Sequence, residues 1–300
     1  MRALAIALTA LFGFLLGLVP ANAQPKLLHQ ERSLYRNIFV TQDGDELCML
    51  FRYPRPAGRE SCKLLHEPDK LIFDYTQMML SGLYLNPSPK RVLIIGEGGG
   101  TIPTLLQQMY PDLQIDLVEI DEAVDRVAKE YFGFKPGPNV HISIEDGRVY
   151  TKRIASQKPN YDIVMLDAFD ADYIPEHMLT REFLQEVKAI MAPGGVIVAN
   201  TFSSSALYDY ESVTYTDVFG KFFNLKLGNR IILGKLGGLP SMDQIRANAA
   251  MVEARLNRYG TGQSFLMPLL DTNPDWDVKA RVLTDQYSPS NLLNALPRNR

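Results

Sequence analysis

The sequence predicts an α/β fold, a doubly wound and mainly parallel sheet preceded by a small N-terminal β unit. Three observations carry that prediction. Strand-like and helix-like segments alternate from residue 91 to residue 200, a pattern that calls for a parallel sheet with helical crossovers. The strands are near-continuous apolar runs, such as Val92-Leu93-Ile94-Ile95 and Ile163-Val164-Met165-Leu166, as required where helices cover both faces of a sheet. A glycine-rich turn, Gly96-Glu97-Gly98-Gly99-Gly100, joins the first of these strands to the segment after it.

Taken in order, the chain begins with Arg2, an apolar run over residues 3–19, then Pro20 and Ala21-Asn22-Ala23. This is the layout of a secretory signal peptide over residues 1–23, with cleavage after Ala23. An uncleaved membrane anchor is the alternative. Both readings put the rest of the chain outside the cytosol, periplasmic or secreted, because positive flanks stay inside. Residues 24–71 read as the small β unit, with strand-like runs at 37–40 and 47–51 around the turn signal Asp43-Gly44-Asp45. Cys48 and Cys62 flank a turn-rich stretch. A hairpin there would bring them almost opposite each other, so a disulfide and two free thiols both stay open.

Ile72, Met79, Leu80 and Leu83 recur at helical spacing, and Pro87 and Pro89 close the segment, which predicts a linker helix over residues 72–85. The nucleotide-binding unit is assigned to residues 72–300, linker included. Its strands fall at 91–96, 114–121, 140–145, 162–166 and 196–200, with a helix after each of the first four. Past Thr201 lie a Tyr-rich stretch to Tyr215, strand-like runs at 222–227 and 230–233, and a helix through 243–258. The strand count is seven. With 46% hydrophobic and 22% charged residues and a formal net charge of −3, the chain has the make-up of a soluble globular domain without the basic surface that nucleic acid requires.

The C-terminal ends of such strands line the ligand crevice. Gly96, Glu97, Gly98 and Gly99 form a turn that lets a nucleotide approach the backbone, and Glu119 ends the next strand, where a carboxylate accepts both ribose hydroxyls. Asp146 and Gly147 follow the third strand, where Asp146 is suited to accept from an adenine amino group. The fourth strand runs into Asp167-Ala168-Phe169-Asp170-Ala171-Asp172. Three carboxylates so close should raise at least one pKa, which suits a base that takes a proton from an amine. No metal is called for, and His29, His66, His141 and His177 are scattered and read as structural or surface residues.

These segments, together with Val118-Glu119-Ile120-Asp121 and Glu145-Asp146-Gly147-Arg148, resemble the ordered motif series of the spermidine synthases, which have the class I methyltransferase type of fold. The resemblance covers roughly residues 33–201 and implies transfer of an aminopropyl group from decarboxylated S-adenosylmethionine to a polyamine acceptor. By it, Glu119 holds ribose, Asp146 holds adenine, Asp167 accepts the proton and Asp170 binds the amine. Departures accompany the matches. The family's Tyr-His-Glu run is Tyr75-Thr76-Gln77 here, which keeps Tyr75 and offers Gln77 as substrate-binding residues; Gly99 stands where the glycine turn usually carries an Asp; and Arg36 matches a Gln. Nucleoside recognition looks intact and amine recognition altered, as in a spermidine-synthase-like subgroup.

Two other functions share these features. A methyltransferase would use intact S-adenosylmethionine on the same fold, with Arg36 pairing the donor's carboxylate. A non-catalytic relative would keep the nucleoside pocket alone. The partners expected are small molecules, from a soluble mature domain that can form a homodimer.

Overall fold

The computed structural model describes residues 24–54, 58–158, 160–168, 174–293 and 296–297. The leader and Asp170 and Asp172 thus lie outside the described residues. Among the described residues, no helix is long and apolar enough to cross a membrane.

Four antiparallel strands form the N-terminal sheet in the order β1-β2-β3-β4: β1 Lys26–Arg32, β2 Asn37–Asp43, β3 Glu46–Leu50 and β4 Arg59–Leu64. β1 has no strong sequence signature, since its run Lys-Leu-Leu-His-Gln-Glu-Arg is mostly polar; pairing with β2 creates it. Side-chain alternation gives this sheet two apolar faces. Ile38, Val40, Leu47 and Met49 pack against Ala123, Val124 and Val127 of the large domain. Phe39, Cys48, Leu50 and Cys62 pack with Tyr53, Ile72 and Phe73 on the other side.

The linker is two helices rather than one, α1 Asp74–Met79 and α2 Gly82–Leu85. Between them the backbone bonds shorten to three-residue spacing, Leu80 to Gln77, Ser81 to Met78 and Leu83 to Leu80. The break lets the chain press onto the large sheet, where a Cβ on Gly82 would meet Val198 at 2.8 Å.

The large domain follows as β5 Arg91–Ile95, α3 Thr101–Met109, β6 Gln114–Glu119, α4 Glu122–Tyr131, β7 Val140–Ile144, α5 Gly147–Ala155, β8 Tyr161–Leu166, α6 Arg181–Ile190, β9 Met191–Phe202, α7 Tyr208–Phe219, β10 Phe223–Leu227, β11 Asn229–Lys235 and α8 Met242–Asn257. The seven-stranded sheet runs β10-β11-β9-β8-β5-β6-β7. β5 to β9 are mutually parallel, while β11 is antiparallel to both β9 and β10. Val92 and Ile94 face one core and Leu93 and Ile95 the other, so the helices cover both faces as the apolar runs require. Asp121, Asp146, Thr180 and Ser241 cap α4, α5, α6 and α8 through side-chain bonds to backbone N–H groups. The order reverses between β5 and β8, and the crevice for a ligand opens at the carboxyl ends of those strands.

Candidate active site

A cleft of about 620 Å³ lies there, walled on one side by β4 and α1 and on the other by the ends of β5, β6, β8 and β9. Its floor is the glycine turn. Gly96 has φ +102, and a Cβ there would lie 2.2 Å from the backbone oxygen of Asp167, so only glycine lets β5 and β8 end so closely. Gly98 and Gly100 also have positive φ, and Gly100 is the N-cap residue just ahead of α3.

Glu119, 9% exposed at the end of β6, is held by both oxygens: the Asp121 N–H donates to Oε1 at 3.0 Å and the Glu97 N–H to Oε2 at 3.1 Å. Burial raises its pKa, and these two bonds and the Arg36 charge oppose the rise. Each oxygen keeps a lone pair for a ribose hydroxyl. Glu97 is buried beside it, and burial, with Asp125 and Glu119 nearby, pushes its carboxyl up to about 9. Arg36 stands at this end of the cleft, its Nε 3.9 Å from Asp121 and its guanidinium 4.3 Å above the Phe51 ring.

Asp146 uses Oδ1 to cap α5, accepting from the N–H groups of Arg148 and Val149 at 3.0 and 2.9 Å. Its Oδ2 lies 2.8 Å from His177 Nε2. The His177 bond, first among the causes, holds the Asp146 carboxyl below the usual carboxylate range. Gly147, the first residue of α5, lines the cleft, where a Cβ would meet Ile95 at 2.4 Å.

At the other end Asp167 follows β8, and its Oδ1 accepts from Asn200 Nδ2 at 2.9 Å while Asn229 donates to Asn200 at 3.1 Å. Burial pushes the Asp167 carboxyl up to about 7, against the lowering effect of Asn200. The Tyr75 ring stacks on Phe73 with centroids 5.6 Å apart. Burial first, and then the Asp167 and Glu60 charges, keep the Tyr75 hydroxyl protonated well above its ordinary range. This end can hold an amine against a carboxylate and take its proton.

The cleft thus gathers Arg36, Tyr75, Gly96, Glu97, Gly98, Glu119, Asp146, Gly147 and Asp167. Two expected residues do not line it. Gln77 follows Tyr75 by two helical positions, about 200° around the axis, and the cleft takes Tyr75 and Thr76 from that helix instead. Gly99 turns its N–H away to Ser61 Oγ at 2.8 Å. The space an acidic side chain would need there is filled, since a Cβ on Gly99 would meet Phe132 at 2.9 Å and Ser61 at 3.1 Å.

Ser61, Asn200 and His177 also bear on the site. Only Asn200, a polar residue ending an apolar strand, carried a local signal. His177 reads as scattered along the chain and proves to face Asp146 in the cleft. Cys48 and Cys62 are directly opposed in the β3–β4 ladder and joined by a disulfide, with Cα atoms 4.1 Å apart.

The Spermine/spermidine synthase domain family matches residues 72–226. The polyamine aminopropyltransferase of Vibrio vulnificus (strain CMCP6) is 43% identical over 275 residues, 90% of this chain and 92% of that one. A probable spermidine synthase from Corynebacterium glutamicum has a similar fold, with TM-score 0.65 and 21% identity over 87% of this chain and 97% of that one. Human methyltransferase-like protein 13, solved in complex with SAH, aligns with TM-score 0.57 and 28% identity over 62% of this chain and 93% of that one. A family match across half the sequence and a relative alike over nearly its whole length place the chain in the spermine/spermidine synthase family of polyamine aminopropyltransferases, enzymes that transfer aminopropyl groups.

Proposed function

We propose that the chain moves the aminopropyl group of decarboxylated S-adenosylmethionine to a small amine, with Glu119 holding ribose, Asp146 adenine and Asp167 accepting the proton. The observation that carries this reading is that one cleft gathers Glu119 and Asp146 with Tyr75 and Asp167, and burial raises the Asp167 carboxyl to about 7. A base near neutrality fits proton transfer from an amine at working pH. The neutral amine nitrogen attacks the aminopropyl carbon bonded to the sulfonium, the carbon–sulfur bond breaks, and its electron pair stays on sulfur. Methylthioadenosine leaves as a neutral thioether. That neutral amine forms when Asp167 takes a proton from the incoming ammonium, the product leaves as a secondary ammonium, and positioning supplies much of the remaining rate.

A second reading, methyl transfer from intact S-adenosylmethionine, draws on Gly99 in place of an acid and on the cations Arg36 and Lys63 along the cleft. Against it, Arg36 stands beside Asp121 and Glu119 rather than at the Asp167 end. Incubation of the purified chain with each donor and a panel of di- and polyamines, read by mass spectrometry, decides. Methylthioadenosine with an alkylated amine supports aminopropyl transfer, adenosylhomocysteine supports methyl transfer, and neither product from any pair overturns both. We propose also that the chain is exported, which the disulfide supports, and that its mature form begins near Gln24, which N-terminal sequencing of protein from its host tests.

A further inference from the structure

Among the described residues β4 is the edge strand of the N-terminal sheet and pairs with β3 alone. Ser61 sits in its middle, 7% exposed, and faces the floor of the cleft. Its Oγ accepts the Gly99 N–H at 2.8 Å. The same hydroxyl fills the space over Gly98, where a Cβ would come within 2.6 Å of it. The glycine turn that a nucleoside must approach is therefore held from outside its own domain by one serine. Gly98 and Gly100 are in left-handed conformations, so the turn has wide conformational freedom unless something fixes it.

Ser61 is held by its ladder pairing with Met49 and by its neighbour in the chain. Cys62 points to the opposite face of β4 and is bonded to Cys48, its cross-strand partner. Beyond Ser61 the β3–β4 ladder shifts register between Met49 and Leu50, so regular pairing ends at the serine. The disulfide is the covalent tie next to that irregularity. It packs in the cluster that also contains Ile72 and Phe73, two further residues of the cleft wall.

We infer that Ser61 is a positioning residue for the donor site and that the Cys48–Cys62 disulfide holds it there, so that nucleoside affinity depends on the oxidation state of this pair. The inference rests on the donor site proposed above. Reduction breaks the Sγ–Sγ bond and leaves two thiols; a dithiol supplies the two electrons and two protons and itself closes to a disulfide. The strand is then free to drift, and the Gly99 N–H loses its buried acceptor.

The test is calorimetric titration of 5′-methylthioadenosine into four samples, wild type and Ser61→Ala, each oxidised and reduced by a dithiol, with thiol content verified by mass. One buried hydrogen bond sets the expected scale, so Ser61→Ala and reduction should each weaken binding roughly three- to ten-fold. Reduction acts through the serine, so it should weaken Ser61→Ala no further. Equal affinity of oxidised and reduced wild type, or an undiminished effect of reduction in Ser61→Ala, overturns the inference while the donor site stands. Absence of binding by the oxidised wild type removes the donor-site reading and this inference with it. Should the reduced chain unfold, the oxidised Ser61→Ala protein carries the test: a melting temperature close to wild type with unchanged affinity overturns the inference, and the predicted loss supports it.

Discussion

Replacing Asp167 with asparagine separates what the residue costs the fold from what it does for catalysis. Its carboxyl rises from an ordinary value near 3.8 to about 7 because it is buried. At about 1.36 kcal/mol per pH unit, a rise of that size is worth on the order of a few kcal/mol. An acid whose folded pKa is raised holds its proton more tightly in the folded state. Stability therefore falls as pH rises from about 4 to about 7 and stays lower above that. Asp167→Asn keeps the shape and an acceptor for Asn200 but cannot ionise. Thermal unfolding should show the variant more stable than the parent at pH 8 and level with it at pH 4. Methylthioadenosine release at pH 7 should fall about 10²-fold or more, the scale of a lost general base, and the deficit should shrink at high pH where more acceptor is already neutral. Full turnover at pH 7 would refute the role of Asp167. Lost turnover without added stability at pH 8 would refute the claim that burial loads this carboxylate.

Glu119→Ala should weaken methylthioadenosine binding by roughly 1.5–3 kcal/mol, the worth of hydrogen bonds to a charged group; calorimetry showing no change would leave Glu119 only as the acceptor for Glu97 and Asp121. Gly96→Ala should abolish donor binding and lower the melting temperature, since the new Cβ lies 2.2 Å from the Asp167 backbone oxygen and positive φ alone adds about 1–3 kcal/mol of strain; a crystal structure of a fully active Gly96→Ala protein would contradict this. Arg230 and Glu211 are both fully buried with Nη1 and Oε2 3.8 Å apart, and Arg230 also bonds Asn224 and Ser212. Arg230→Ala should destabilise by about 3–5 kcal/mol, because it leaves a carboxylate buried without its counter-charge; chemical denaturation reads the loss, and a value under 1 kcal/mol would be inconsistent with the pair.

Much of the large domain was written locally. Apolar runs such as Val92-Leu93-Ile94-Ile95 and the polar, capped segments between them specify strand and helix by period alone, and a parallel α/β order then places strand ends, including Glu119 and Asp167, at one crevice. The glycine turn was legible because left-handed backbone needs glycine. Other features depended on partners distant in sequence. Tyr208–Phe219 is a helix among the Tyr-rich residues, with Arg230 stacked 3.8 Å over the Tyr208 ring, and β1 exists because β2 is there to pair with it. Gln77 read as a neighbour of Tyr75 along the chain, yet helix phase carries it to another face. His177 stood apart in sequence and meets Asp146 across the fold. Periodicity and backbone conformation are properties of adjacent residues, so the sequence alone determined the parallel strands of the large domain and placed their carboxyl ends within a residue or two. Contacts between separate strands are not, so only the tertiary structure decided that Ser61 holds Gly99 and that Cys48 lies opposite Cys62.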